Sequence, residues 1–189
     1  LISFITLAVA DPMVQASLIV WIFAMRFLMD FMSSVSFSVN QAISEKKYGN
    51  VKNFNFEEPL TRLIWIASII SIITTFFMSY MLIGTLTIDG VAYPTIWWKL
   101  ASIISCGTLA AVLIPEFTKI FTSSQSKHVH EVVNASREGG ASLTILSGIV
   151  AGNFSAFWKG LLIAGLMTIA FLISQMGLGD IIGYPSIFA

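Results

Sequence analysis

The feature that most constrains this chain is the apolar run at residues 63–83, which contains no charged side chain. The hydrocarbon core of a bilayer is about 30 Å thick, and an α-helix needs roughly 20 apolar residues to cross it. Residues 12–41, 96–121 and 140–176 form three further apolar segments of spanning length. The sequence therefore predicts an all-α fold, a polytopic transmembrane helix bundle with four full spanning helices plus two partial ones.

The two partial helices are expected at the ends, where residues 1–10 and 184–189 are apolar but too short to span. Because the sequence also lacks an initiator Met, we interpret residues 1–189 as an internal fragment of one polytopic membrane domain. Its helices are predicted at about 12–41, 60–83, 96–121 and 140–176. The cytoplasmic loops are predicted at 42–59 and 122–139.

Composition supports membrane insertion and argues against nucleic acid as a partner. Of the residues, 11% are charged and 56% are hydrophobic, whereas a soluble domain carries about 25% charged residues. The formal net charge is +0, so the chain lacks the basic excess of nucleic-acid-binding proteins. Cys106 is the single cysteine, which excludes a disulfide within the chain.

The positions of Lys and Arg predict the orientation of the helices. Lys46, Lys47 and Lys52 lie between the first and second segments, and Lys127 and Arg137 lie between the third and fourth. Lys and Arg favour the cytoplasmic side of a membrane, so both connections should be cytoplasmic. The connection at 84–95 has no Lys or Arg and is predicted to be external, next to an aromatic belt of Tyr93, Trp97 and Trp98.

Small residues recur at every fourth position along the fourth segment. Such spacing lets helix backbones approach closely where no water drives association. The row is predicted to be a helix-packing or dimer-contact surface, and packing within one subunit is an equal alternative. Its members are Gly140, Thr144, Gly148, Gly152, Ala156 and Gly160.

Arg26 and Asp30 are an intramembrane charge pair, four residues apart on one face of the first segment. Charges within a spanning helix are costly and often functional. The favoured interpretation is a local ion pair at a helix end that projects into the cytosol. The alternatives are a role in ion conduction or gating and a structural pair between helices.

The remaining polar residues give no catalytic constellation. His128 and His130 are two positions apart, which does not place both on one helical face for a metal. Residues 126–138 are predicted to form a short amphipathic helix instead. Glu116 follows Pro115 at a helix end, and Gly139 and Gly140 could form an anion-binding turn or serve close packing. We predict no catalytic, cofactor-binding or metal-binding residue in this chain.

Several ordered motifs make the chain resemble the middle of a membrane-bound, ion-translocating inorganic pyrophosphatase. The resemblance covers nearly the whole chain, and two of its motifs fit one bacterial branch of that family. The motifs are DPMVQA at 11–16, WWKL at 97–100, CGTLA at 106–110, IPEFTK at 114–119, FTS at 121–123, SREGGAS at 136–142 and GIVAGNF at 148–154.

The resemblance implies the fold and activity of the whole protein. That family forms homodimers of many transmembrane helices, hydrolyses magnesium-bound pyrophosphate at the cytoplasmic side and moves protons or sodium ions outward. It implies Mg²⁺ as a cofactor bound outside this chain, K⁺ as a further candidate cofactor, and a multi-pass location in the bacterial cytoplasmic (inner) membrane. The partners implied are pyrophosphate, H⁺ or Na⁺, a second copy, and the remaining helices of the parent chain.

The aspartate-rich motifs of that family have no match in this chain, so the chain by itself is expected to be inactive. We expect it to be mainly scaffold and part of the dimer interface. The alternative is a fragment of a non-enzymatic secondary transporter or channel, which an inverted repeat of these helices would favour. A membrane scaffold without transport is a third hypothesis.

Overall fold

The computed structural model describes Val9 and residues 11–49, 57–84, 87–88 and 91–178. Within these ranges the chain forms long helices and one very short antiparallel strand pair. The helices are α1 (Pro12–Tyr48), α2 (Glu57–Ile83), α3 (Ile96–Thr122) and α4 (Lys127–Gln175), and the strands are β1 (Thr87–Ile88) and β2 (Val91–Ala92). Apart from this strand pair between α2 and α3, the class is all-helical, as predicted.

The predicted count of four full spanning helices plus two partial ones is not matched. Among the residues that the structure describes, three segments are long and apolar enough to cross a membrane, namely Pro12–Tyr48, Glu57–Ile83 and Ile96–Gln175. The third segment contains both α3 and α4, because only the short turn at 123–126 separates these two apolar helices. The predicted partial helices at 1–10 and 184–189 lie outside the described residues, apart from Val9.

The start of α1 has the cap that its sequence predicts. Asp11 is the N-cap residue, and its Oδ1 accepts a hydrogen bond of 2.8 Å from the backbone N–H of Met13. Pro12 occupies the first helical turn, where its missing N–H costs nothing. The helix continues past residue 41 to Tyr48, and a hydrogen bond of 3.0 Å between Gln41 and Glu45, one turn apart, supports this extension.

The chain folds into two compact units, which we describe separately. The first contains the described residues of Leu1–Thr108 and Met167–Ala189, and the second is Leu109–Leu166. In the first unit α1 packs along α2, burying Leu18, Trp21 and Met25. The indole Nε1 of Trp21 donates a buried hydrogen bond of 3.0 Å to Ser79 Oγ on α2.

Two interactions tie the end of α2 to the start of α3 in the same unit. The rings of Tyr80 and Trp97 meet edge-on at 5.2 Å. Ile83, Ile96 and Leu100 are all buried in one apolar cluster with the α1 residues. The α2–α3 connection is therefore anchored at the end of the bundle that the aromatic belt was predicted to occupy.

In the second unit α4 reverses direction at Gly140. This residue has φ 62° and ψ −148°, a conformation outside the helical region. The rings of His128 and Phe154 lie only 6.2 Å apart, whereas a straight helix would separate them by about 39 Å. We call this feature the α4 hairpin, with a first arm at 127–139 and a second arm that begins at residue 141.

The two arms of the α4 hairpin pack against each other through facing stripes of side chains. A groove lies between the two arms. On the first arm it is lined by one stripe, at positions 128, 131, 132 and 135, and on the second arm by Leu143, Leu146 and Val150. The positions repeat at intervals of three and four, as expected for one face of each helix. The first arm corresponds to the short amphipathic helix predicted at 126–138, within the connection predicted at 122–139.

Removal of the Trp21–Ser79 hydrogen bond tests the packing of α1 on α2. Ser79→Ala leaves the buried Trp21 N–H without a partner, and we expect the folded protein to lose about 1–3 kcal/mol. Thermal unfolding of the full-length protein in detergent measures the effect. Ser38→Ala is the matched control, because that exposed hydroxyl bonds only to Ser34 O of its own helix, and a loss of the same size there would contradict the assignment.

Candidate functional site

The structure brings Arg26 and Asp30 together as an ion pair on α1. Arg26 Nε lies 3.4 Å from Asp30 Oδ2, one helical turn away. Their side chains are 78% and 65% exposed with respect to the described residues. The pair is therefore formed within one helix, and neither α2 nor α3 covers it.

An apolar groove runs beside this pair, between α1 and α3. Its cavity volume is about 210 Å³. Arg26 is the charged residue among its lining side chains, so the stem of this arginine borders the groove while its head group pairs with Asp30. The other lining residues are Trp21, Ile22, Met25, Met29, Leu100, Ile103 and Ile104.

The small-residue row on α4 faces open space in the described part of the chain. A Cβ added to Gly148, Gly152 or Gly160 would meet no atom within 4 Å. Positions four apart advance by about 40° around a helix, so the row turns away from the face that the first arm covers. Thr144, which lies nearer the reversal, is half-buried, and its Oγ1 donates a hydrogen bond of 2.8 Å to the backbone oxygen of Gly140. Ala156 is exposed like the later glycines.

The two histidines of the first arm lie in different environments. The ring of His128 stacks on Phe121 at 4.7 Å, and its Nδ1 lies 3.5 Å from Glu131 Oε2. His130 is exposed on another side of the arm. In the ranges that the structure describes, no group of three or more His, Cys, Asp or Glu side chains could hold a metal ion.

Both glycines at the reversal have a geometric reason to be glycine. Gly140 adopts a positive φ, which L side chains disfavour. A Cβ on Gly139 would come within 2.0 Å of Leu143 Cδ1. Close packing and chain reversal thus account for this pair. At the other candidate hinge, α3 continues through Pro115 to Thr122, and Glu116 is half-buried.

A cluster of charges joins the end of α1 to the start of α2. Glu58 pairs with Lys47 and, at 3.1 Å, with Arg62 Nη2. Arg62 Nη2 also lies 3.5 Å from the hydroxyl of Tyr48. One carboxylate therefore links two basic side chains from two helices. The charge pattern of the sequence places these residues in a cytoplasmic loop and at its margin but does not predict that they form a contact.

The sequence-based prediction also missed the small polar face of α2. Ser68, Thr75 and Ser79 are buried at spacings of seven and four residues, which places them on one face of α2, and Ser79 on this face bonds to Trp21 of α1. Ser and Thr belong with Gly and Ala among the residues that allow close helix approach in membranes. Their spacing in an otherwise apolar helix is the signal that could have revealed this contact.

Long apolar helices with buried Ser and Thr contacts define the class as integral membrane proteins. The chain belongs to the inorganic H⁺ pyrophosphatase family, whose family model matches residues 1–188. It is 56% identical over 189 residues to the K(+)-insensitive pyrophosphate-energized proton pump of Chlorobaculum tepidum. The match covers 100% of this chain and 24% of that relative, so the chain spans about a quarter of its length. No solved structure matches the chain.

Substitution of Gly140 tests the reversal of α4. Gly140→Ala forces an alanine into a backbone conformation that is essentially restricted to glycine, with φ 62° and ψ −148°, at a cost of about 1–3 kcal/mol. We therefore expect faster proteolysis between the two arms in the full-length protein. Gly165→Ala is the control, because Gly165 lies on the second arm outside the small-residue row and its added Cβ meets no atom within 4 Å. Equal proteolysis of the two variants would argue against the reversal.

Proposed function

We propose that the protein containing this chain couples hydrolysis of magnesium pyrophosphate to proton transport across a bacterial cytoplasmic membrane. The observation that carries the proposal is the 56% identity along all 189 residues to a bacterial pyrophosphate-energized proton pump. It supports protons rather than sodium ions as the transported species. Because the printed name of that relative is K(+)-insensitive, we further propose activity that does not depend on potassium.

Within this proposed pump the chain serves as scaffold. The described part offers no metal-holding cluster, so its residues do not fit a magnesium site, and we derive no catalytic step from them. Mg²⁺ would neutralise pyrophosphate and activate water at residues supplied by the rest of the parent chain. The contribution of this chain is mechanical, since α1 is held to α2 by the Trp21–Ser79 bond and by the cluster around Glu58.

The small-residue row supports a second proposal, a homodimer contact on the second arm of α4. Gly148, Gly152 and Gly160 have space for another helix to approach, and small residues at this spacing are typical of membrane helix contacts. Packing against another helix of the same parent chain remains the alternative that the experiment must distinguish.

Transport by the full-length protein tests the proposed activity. Inside-out membrane vesicles should acidify when pyrophosphate and Mg²⁺ are added together, and the rate should be the same in KCl and in choline chloride. Acidification is followed with a pH-sensitive dye and hydrolysis by phosphate release. Pyrophosphate-driven uptake of ²²Na⁺ without acidification would refute proton transport, and a several-fold higher rate in KCl would refute potassium independence.

The isolated chain should hydrolyse no pyrophosphate above the uncatalysed rate, because the proposal places the magnesium-binding residues outside it. Phosphate release from the purified chain in nanodiscs measures this. The full-length protein assayed in parallel is the positive control. Measurable magnesium-dependent hydrolysis by the chain alone would contradict the scaffold role.

Bulky substitutions test the dimer contact. Gly148→Leu or Gly152→Leu should lower the dimer fraction of the full-length protein at least several-fold, because the leucine holds the two backbones apart. Native mass spectrometry measures the dimer fraction, and Ile149→Leu is a control on the same helix but outside the row. If the dimer fraction is unchanged while thermal stability falls, the row packs within one subunit.

A further inference from the structure

The register of α1 against α2 gives the depth of the Arg26–Asp30 pair in the membrane. Trp21 meets Ser79 near one end of the helix pair, and Lys47 meets Glu58 at the other. Counted back at equal rise along the two antiparallel helices, the first contact places residue 30 level with residue 70 of α2 and the second with residue 75, a mean of about residue 72. Residue 72 lies at the middle of the uncharged run 63–83, which is just long enough to cross the hydrocarbon.

A second measure of depth comes from α3. Trp97 contacts Tyr80 at the end of α2, and the groove beside Arg26 is lined by Ile103 and Ile104. These isoleucines follow the two tryptophans by one to two helical turns, which is about 10 Å along the axis. Both measures place Arg26 well inside the hydrocarbon rather than at a cytosolic helix end.

At this depth in the membrane, the exposed side chains of Arg26 and Asp30 need a polar partner that replaces the missing water. The described residues leave 78% of the Arg26 side chain and 65% of Asp30 uncovered. Ionised side chains at the bilayer centre are rare against lipid and instead face a bundle interior or a water-filled cavity. Pairing with each other leaves most of the hydrogen-bonding capacity unused, because a guanidinium has five N–H donors and a carboxylate has about four acceptor sites.

We propose that the charged face of α1, formed by Arg26, Phe27, Asp30 and Ser34, docks against another membrane helix of the same polypeptide. That helix lies outside this chain and presents at least one hydrogen-bonding side chain to the Arg26–Asp30 pair. The chain accounts for 24% of its relative, so most of the parent protein is available to supply it. The inference rests on membership in the family and does not require the proposed pumping.

The aromatic residues of this face favour a dry protein contact over a water-filled cavity. Phe23, Phe27 and Phe31 are exposed at spacings of four residues, and Phe27 is 80% exposed. Phe27 lies between the two charges in sequence and on the same side of the helix. Three phenylalanines beside a desolvated ion pair form a surface that an apolar helix with one polar side chain would complement.

A spin label at position 27 tests the docking directly. Phe27→Cys is made in the full-length parent protein with its other cysteines, including Cys106, replaced, and Phe77→Cys on α2 is the control. Phe77 is 62% exposed in the uncharged run. We expect the label at 27 to be immobilised and protected from both O₂ and a water-soluble nickel chelate, while the label at 77 collides with O₂ as a spin-labelled lipid does.

Each other result identifies a different occupant and overturns the proposal. O₂ collision at 27 equal to that of the lipid reference would mean contact with lipid. Collision with the nickel chelate would mean a water-filled cavity. Dipolar broadening between labels on two copies would mean a dimer contact. Ser34→Cys provides the same readout if Phe27→Cys does not fold, and pyrophosphate hydrolysis by each labelled protein reports separately on the proposed function.

Charge removal tests the shared hydrogen bond. Arg26→Leu and Asp30→Leu should each lower the yield of folded full-length protein several-fold, because each leaves one buried charge unpaired. The double variant should not recover the original yield, because the polar group of the docking helix then loses its partner. Full recovery in the double variant would show that the pair is self-contained and would refute the shared contact.

Discussion

The structure depends on how polar groups obtain hydrogen bonds where water is absent. Most hydroxyl groups on the apolar helices bond to the carbonyl one turn earlier, as Ser36 does to Met32, Thr75 to Ser71 and Ser105 to Ala101. The indole N–H of Trp21 has no comparable route within its own helix. It must find an acceptor on a neighbour, and Ser79 supplies one. Together with the ion pairs of Glu58, this hydrogen bond sets the register of α1 against α2.

The amino-acid sequence predicted the presence of the long helices because spanning length and lack of charge are local properties. It could not predict the reversal at Gly140, because a Gly–Gly pair permits a positive φ without requiring one. The extension of α1 to Tyr48 was missed for a different reason. The last turns of α1 are polar. A polar segment that follows an apolar segment is usually predicted to be a loop, although here its side chains support a helix.

The candidate site residues show the same limit. The sequence predicted the small-residue row on α4, but no described residue packs against the glycines of this row at 148, 152 and 160. The small residues that are buried lie on α2, at Ser68, Thr75 and Ser79. Spacing identifies a surface that can be packed closely, but it does not identify the neighbour. The spacing of Arg26 and Asp30 places them on one helix face, where the structure has an ion pair of 3.4 Å, but spacing within one helix carries no information about which neighbouring helix faces the pair.

The two attachments of α1 to α2 have a mechanical consequence. The hydrogen bond of Trp21 and the ion pairs of Glu58 lie near opposite ends of the helix pair. Sliding one helix past the other by a single turn, about 5.4 Å, would break both attachments together. The pair therefore resists shear along its length, and any movement imposed on it by the rest of the protein would be transmitted as tilt or rotation of both helices as one body.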